Sequence, residues 1–236
     1  ATRTSSGPVQ VILTPVADTY MARWSATSNF GNSTRLVTRY HSANQNEENS
    51  ALLRFDLSGI PAGATVQNAV LTLTVEYREA EAWLDLDLFK LLRGWEELQA
   101  TWNQATSGVA WSAPGANGAG DRESTRRSVV RVNAAPGQTV AIDLTALTQE
   151  WVSSPAGNYG LLLRPTLPLN NFTMTYRFAS ADHGTVAWRP QLTVTHSGGG
   201  GPTATPTHTS TPAGPTATPT RTATPAGPTA TPTRTA

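Results

Sequence analysis

Tryptophan is the residue type in this sequence best suited to recognising a ligand. The 236-residue chain holds seven tryptophans, and the C–H side of a sugar ring packs well against an aromatic face while neighbouring polar groups take its hydroxyls. Trp24 and Trp111 lie among small and polar residues, so both are candidates for exposed carbohydrate-binding platforms. The alternative for any tryptophan is a place in the core.

Short motifs that mark catalysis do not occur in the sequence. Because it contains no cysteine, the chain has no thiolate nucleophile, disulfide or cysteine-ligated metal. It contains no His-Glu-x-x-His pattern, no Gly-x-Ser-x-Gly elbow and no Walker loop. We therefore expect no catalytic residues and no organic cofactor, and a protein that is not an enzyme.

Carboxylates could hold a structural calcium ion, because this cation prefers oxygen ligands. None of the candidates has the one-three-five ligand spacing of a dedicated calcium loop, and solvated acidic surfaces are the alternative. The sequence therefore leaves a metal site unknown. The candidate ligands are Asp18, Asp85, Asp87, Asp143 and Asp182.

Charge and hydropathy exclude two classes of partner. The formal net charge is +1, whereas a nucleic-acid groove needs clustered basic residues. No apolar run approaches the roughly 18 residues of a membrane-spanning helix. We expect neither a nucleic-acid partner nor a membrane span.

The apolar residues of the first 200 positions alternate with a period of two, which is typical of strands with one buried face. Within 69–77, for example, Leu71, Leu73, Val75 and Tyr77 fall on one face. Many short strands that each have one solvent-exposed face need a second sheet to cover their apolar face. The pattern therefore predicts an all-β, jelly-roll-like antiparallel β-sandwich. The predicted strands are 9–13, 35–40, 50–57, 69–77, 83–92, 128–132, 139–144, 159–164, 173–179 and 191–195.

Two segments depart from this alternation. Apolar residues at helical spacing after Leu144 predict about two helical turns ending near Trp151, with Thr145 able to cap the helix. The stretch 106–127 is rich in small and charged residues without periodicity, so we expect a long surface loop that could border a pocket.

Several phrases of the sequence, taken in order over roughly 15–195, resemble the DNRLRE family of secreted β-sandwich modules, which overlaps a family of carbohydrate-binding modules. The resemblance implies a non-catalytic sandwich at a cell surface or beside a polysaccharide-degrading enzyme, and makes most of the matching residues structural. The phrases are Ala17-Asp18-Thr19-Tyr20, Asn29-Phe30-Gly31, the run from Leu52 to Leu57, the run from Ile60 to Val66, Thr101-Trp102-Asn103, Ile142-Asp143-Leu144-Thr145, Trp151, Asn158-Tyr159-Gly160-Leu161 and Arg189-Pro190-Gln191-Leu192.

From Gly201 the sequence repeats every thirteen residues and consists almost wholly of Thr, Pro, Ala and Gly. Such a segment has no apolar side chains to form a core and favours an extended polyproline-II backbone. We therefore divide the chain into a sandwich domain at 1–197, a glycine linker at 198–201 and repeats at 202–236. The threonines expected to carry O-linked sugars are Thr203, Thr205, Thr207, Thr209, Thr211, Thr216, Thr218, Thr220, Thr222, Thr224, Thr229, Thr231, Thr233 and Thr235.

Two interpretations of the whole chain remain at this point. The first is an extracellular structural protein that self-associates into a cell-surface fibre, in which neighbouring subunits or attached sugars order the tail. The alternative is a carbohydrate-binding or adhesion module that the tail carries as a stalk, as part of a larger surface protein or a polysaccharide-degrading enzyme.

Overall fold

The structure is a computed structural model that describes residues 7–42, 44–166 and 173–198. The chain divides after Gly201, and every described residue lies in the first of the two parts. The predictions for the repeats at 202–236, for their threonines and for most of the glycine linker fall outside the described residues and stay predictions.

The described residues form thirteen β-strands, one α-helix and four short 3₁₀ turns. The helix α1 spans Thr145–Ser153, and the 3₁₀ turns are Arg23–Ser25, Gln45–Glu47, Pro155–Gly157 and Val186–Trp188. The strands are β1 (Val9–Leu13), β2 (Pro15–Ala22), β3 (Arg35–His41), β4 (Asn49–Phe55), β5 (Thr65–Arg78), β6 (Leu84–Lys90), β7 (Gln104–Thr106), β8 (Val109–Ala110), β9 (Ser128–Val132), β10 (Thr139–Asp143), β11 (Leu161–Thr166), β12 (Thr173–Ala179) and β13 (Gln191–Ser197).

One curled antiparallel sheet provides both layers of the fold. Its strand order is β1-β13-β5-β12-β3-β4-β11-β6-β9, with β10 paired to β5 and β2 paired to β4. The long strand β5 pairs with β13 along its first half and with β12 at Tyr77 and Arg78, so it passes from one layer into the other. The predicted all-β antiparallel sandwich is confirmed.

The core between the two layers consists of side chains at alternate strand positions. Leu71 and Leu192 of one layer meet Leu53, Leu163 and Phe178 of the other, and all are fully buried. The predicted face of β5 is right for Leu71, Leu73 and Val75 but wrong for Tyr77, which is 39% exposed. A β-bulge opposite Arg177 and Phe178 is the cause, because one extra residue reverses the side that later side chains occupy.

Helix α1 closes one opening of this core with Leu147, Trp151 and Val152. The helix is where the sequence predicts it, but its predicted cap is wrong. Thr145 Oγ1 instead accepts a hydrogen bond of 2.9 Å from the backbone N–H of Ala69, which ties the helix to β5. The carboxylate of Asp143 accepts from the N–H of Thr145 at 2.8 Å and satisfies one free donor of the first turn.

A second core lies on the outer face of β4, β6 and β11. Leu52, Phe89 and Leu162 point away from the inner core and are covered by the segment 92–122, which contributes Trp95, Trp102 and Trp111 among its buried side chains. The expectation that 106–127 is a surface loop is therefore wrong for its first part. Trp111 is only 4% exposed, and its indole N–H donates to the carbonyl of Thr101 at 2.9 Å.

A buried carboxylate fixes the covering segment. Asp121 is fully buried and accepts hydrogen bonds from the backbone N–H groups of Ser112, Ala113 and Gly118 at 2.8 to 3.0 Å. Burial opposes its ionisation, but these donors outweigh burial and lower the pKa of Asp121.

Among the described residues, no helix is long and apolar enough to cross a membrane.

Gly160 lies very close to the backbone of β4, and a substitution can test how much this close approach matters. Its φ of +85° is unfavourable for other residues, and a Cβ there would lie 2.2 Å from the carbonyl oxygen of Leu53. We expect Gly160→Ala to lower the free energy of unfolding by about 2–4 kcal/mol, as measured by urea denaturation. Gly157→Ala is the control, because a Cβ at Gly157 meets no atom within 4 Å, and equal losses in both variants would contradict the prediction.

Candidate functional site

An open groove of about 610 Å³ lies on the outer face of the sheet beside the second core. Its floor is made by Arg35, Val37 and Arg39 of β3 and by Thr175 and Arg177 of β12. These residues alternate with buried core side chains of the same strands, so the period of the strands directs them outward. We call this site the Trp24 groove, after the aromatic residue that borders it.

Two 3₁₀ turns border the groove. Trp24 lies in the turn Arg23–Ser25 and is 64% exposed, while Glu47 ends the turn Gln45–Glu47. The backbone N–H of Arg23 donates to the carbonyl of Glu48 at 2.9 Å and joins the two turns. Tyr20 also lines the groove. The site thus offers one highly exposed indole and a second, half-buried aromatic ring.

Tyr20 owes its position to the chain that follows Trp24. Its ring stacks on Phe30 with centroids 4.2 Å apart, and the residues on each side of Phe30 are anchored. The side-chain amide of Asn29 donates to the carbonyls of Glu97 and Ala100 at 2.7 Å. A Cβ at Gly31 would lie 2.3 Å from the carbonyl oxygen of Glu97, so only glycine fits there.

Guanidinium groups dominate the polar chemistry of the floor. Arg39 pairs with Glu47 at 2.6 Å and with Glu79 at 3.3 Å, and it also donates to the hydroxyl of Thr175 at 2.7 Å. Hydrogen bonding to Arg39 holds the pKa of Glu47 below its usual value. The carboxylate form of Glu47 is thereby favoured, and the hydrogen bonds of Arg39 fix the direction of the side chains around it.

Arg35 and Arg177 differ in how they are held. Arg35 pairs with Glu76 at 2.6 Å, whereas Arg177 lies over the ring of Tyr77 at 4.6 Å from its centroid. Among the described residues, no carboxylate forms an ion pair with Arg177. Its N–H groups are consequently available as hydrogen-bond donors at the groove.

Of the two tryptophans predicted as carbohydrate-binding platforms, one is exposed and the other is buried. Trp24 is exposed as predicted, and its role in sugar binding stays a prediction. Trp111 is buried in the second core, so its predicted exposure is wrong. Its setting among small and polar residues resembles that of a surface residue, but these residues belong to the turns that fold over it. Trp83 is 40% exposed with Arg131 at 5.3 Å from its ring centroid, but it does not line the groove.

The sequence analysis missed Tyr20, Arg39 and Arg177 as groove residues. The alternation of polar with aromatic residues in 175–178 does indicate an outward face, whereas 35–39 has no such alternation. What the sequence could not show is that β3 and β12 lie side by side, as the direct pairing of Arg39 with Thr175 establishes.

The five candidate calcium ligands do not assemble into one site. Asp85 pairs with Arg131 at 2.9 Å, Asp87 pairs with Arg126 at 3.0 Å, and Asp143 bonds to the start of α1. Over 7–42, 44–166 and 173–198, no group of three or more His, Asp or Glu side chains is arranged to hold a metal ion.

Asp18 is the most unusual carboxyl group of the fold. It is 1% exposed, accepts a hydrogen bond of 2.7 Å from the N–H of Ala181, and its own N–H donates to the carboxylate of Glu97 at 2.8 Å. Burial raises the pKa of Asp18 to about 7, with Glu97 and Asp182 adding to the rise and the Ala181 hydrogen bond opposing it.

The sequence model of carbohydrate-binding module family 96 matches residues 9–196. The chain belongs to this family. The match covers β1 to β13, including the Trp24 groove and the second core. No curated protein matches the chain.

The predicted resemblance to carbohydrate-binding modules is confirmed by this match. The narrower assignment to the DNRLRE family stays a prediction.

Asp18 predicts a pH dependence of stability. Because its pKa is about 7 in the folded protein and 3.8 in the ordinary case, its protonated form favours the folded state. This contribution is complete below pH 3.8 and is lost as the pH rises through about 7, for a total of about 4 kcal/mol. Urea denaturation from pH 4 to pH 8 measures it.

The matched variant is Asp18→Asn, which keeps the side-chain shape but cannot ionise. We expect this variant to lose the fall in stability between pH 4 and pH 8, whereas Asp56→Asn at an exposed position keeps it. A wild-type protein and an Asp18→Asn variant with parallel stability curves would contradict the raised pKa.

Proposed function

We propose that the protein is a polysaccharide-binding module and that the Trp24 groove is its binding site. The observation that supports this most directly is an indole 64% exposed at the border of a groove whose floor is polar. Trp24 is more exposed than Trp83, at 40%, and Tyr77, at 39%, whereas Trp95, Trp102, Trp111 and Trp151 are buried. Membership of carbohydrate-binding module family 96 supports the same class of ligand.

The chemistry of the groove suits a sugar chain. Trp24 offers a flat apolar surface to the C–H side of a sugar ring, while Arg177 and the amide of Asn46 offer hydrogen bonds to its hydroxyl groups. The network of Arg39, Glu47 and Thr175 fixes the floor before a ligand arrives, so that little side-chain entropy is lost on binding.

The proposed module binds its ligand without catalysis. Among the described residues that line the groove, Glu47 is the one carboxylate, and its hydrogen bonds to Arg39 lower its pKa. A general acid for glycoside cleavage needs the opposite shift and a second carboxylate across the bond. The groove therefore favours a module that holds a polysaccharide for other proteins to act on.

Three predictions from the sequence stay predictions. An extracellular location, O-linked sugars on the threonine-rich repeats and kinship with the DNRLRE family all suit a binding module carried on a stalk. Self-association into a fibre has no observation behind it, so the module interpretation replaces it as the main one.

Affinity electrophoresis of the full chain in gels containing polysaccharide tests the proposal. The panel includes neutral polymers (laminarin, xylan, glucomannan) and acidic ones (polygalacturonate, alginate). We expect at least one polymer to retard the wild-type protein, and Trp24→Ala to weaken that retardation at least tenfold, because the stacking surface is removed.

Trp83→Ala is the matched control, since Trp83 is also exposed but lies outside the groove. It should bind as the wild type does. No retardation by any polymer would overturn the proposed function, and equal losses in the two variants would overturn the assignment of the site.

A further inference from the structure

The Trp24 groove continues beyond β12 onto β5. Arg177, which lines the groove, is the direct cross-strand partner of Tyr77. Directly paired residues of neighbouring strands place their side chains on the same face of a sheet. The outer surface of the sheet therefore runs without interruption from Arg35 and Arg39 on β3, across Arg177, to Tyr77.

Tyr77 is on this surface because of the β-bulge in β5. Val75 pairs with Phe178 and points into the core, so strict alternation would bury Tyr77 as well. The bulge makes Glu76 the extra residue, and Tyr77 then lies on the outer face, 39% exposed. β-Bulges recur where a strand must redirect a side chain at a functional surface.

The bulge also supplies a second contact to the groove. Glu76 reaches Arg35 at 2.6 Å, and Glu79 near the end of β5 reaches Arg39 at 3.3 Å. The floor arginines are thus held from β5, the same strand that presents Tyr77. Groove and tyrosine form one connected surface.

We propose that Tyr77 and Arg177 form a second subsite of the Trp24 groove, which holds an internal stretch of polysaccharide lying across β3, β12 and β5. Two strand spacings separate β3 from β5, or about 10 Å, which is more than one sugar ring covers. Tyr77 holds the guanidinium of Arg177 in place, and the exposed part of its ring contacts a sugar further along the chain, beyond the two that a disaccharide on Trp24 would occupy. This inference rests on the proposed function.

Oligosaccharide length separates the second subsite from the first. Each polysaccharide of the panel is cut into di-, tetra- and hexasaccharide fractions, and their affinities for the full chain are measured by isothermal titration calorimetry. We expect the hexasaccharide to bind more tightly than the disaccharide. Tyr77→Ala should weaken hexasaccharide binding about tenfold and leave disaccharide binding within twofold of the wild type.

Two further variants control the result. Trp83→Ala removes an exposed ring with its own arginine, Arg131, outside the groove, and should change neither affinity. Tyr77→Phe keeps the ring and should bind as the wild type does, while its melting curve and that of Tyr77→Ala report whether the bulge still folds.

The outcomes distinguish the inference from the function on which it rests. Tyr77→Ala with unchanged hexasaccharide affinity, or with equal losses for both lengths, overturns the second subsite while Trp24 keeps its role. Loss of all binding in Trp24→Ala together with a length-dependent loss in Tyr77→Ala supports both. Undiminished binding in Trp24→Ala overturns the site itself.

Discussion

The burial of β4 and β11 on both faces is the constraint on which the rest of this structure depends. Three consecutive buried residues in each strand, such as Leu161, Leu162 and Leu163, need apolar partners on two sides. The opposite layer covers one side, and the segment 92–122 must cover the other. The outer face of the sheet is thereby divided into a covered half and an open half, and the open half is where β3 and β12 present the Trp24 groove.

The same division explains how a protein with seven tryptophans can present Trp24 so openly. The covering segment is held on the sheet by three tryptophans buried in the second core, Trp95, Trp102 and Trp111. Large aromatic side chains contribute most to such packing. The edge of that segment then anchors Asn29 through the carbonyl of Glu97, and Gly31 lies close against the same carbonyl. Scaffold and groove are therefore linked, because the loop that leads away from Trp24 is fixed by the segment that completes the second core.

Much of the fold could be predicted from the sequence, because period-two alternation reports strands wherever one face is buried. The alternation fails at β2, where Pro15 and the buried Asp18 interrupt it, and at Tyr77, where a bulge reverses the faces. The site was harder to predict. Local sequence does not distinguish Trp24 from Trp111, because the difference arises from which distant segment covers each ring. Strand neighbours such as β3 and β12 are likewise far apart in the chain.

The continuity of β5 through both layers has a mechanical consequence. The groove lies on β3 and β12, β12 is hydrogen-bonded to β5, and β5 is hydrogen-bonded to β13, after which the chain continues past Ser197. β13 is also paired with β1 on its other edge. A pull along β13 against a ligand held at the groove would therefore shear two rows of backbone hydrogen bonds at once instead of unzipping them singly. Removal of β13 from the sheet therefore needs more force than removal of a strand that is paired on one edge.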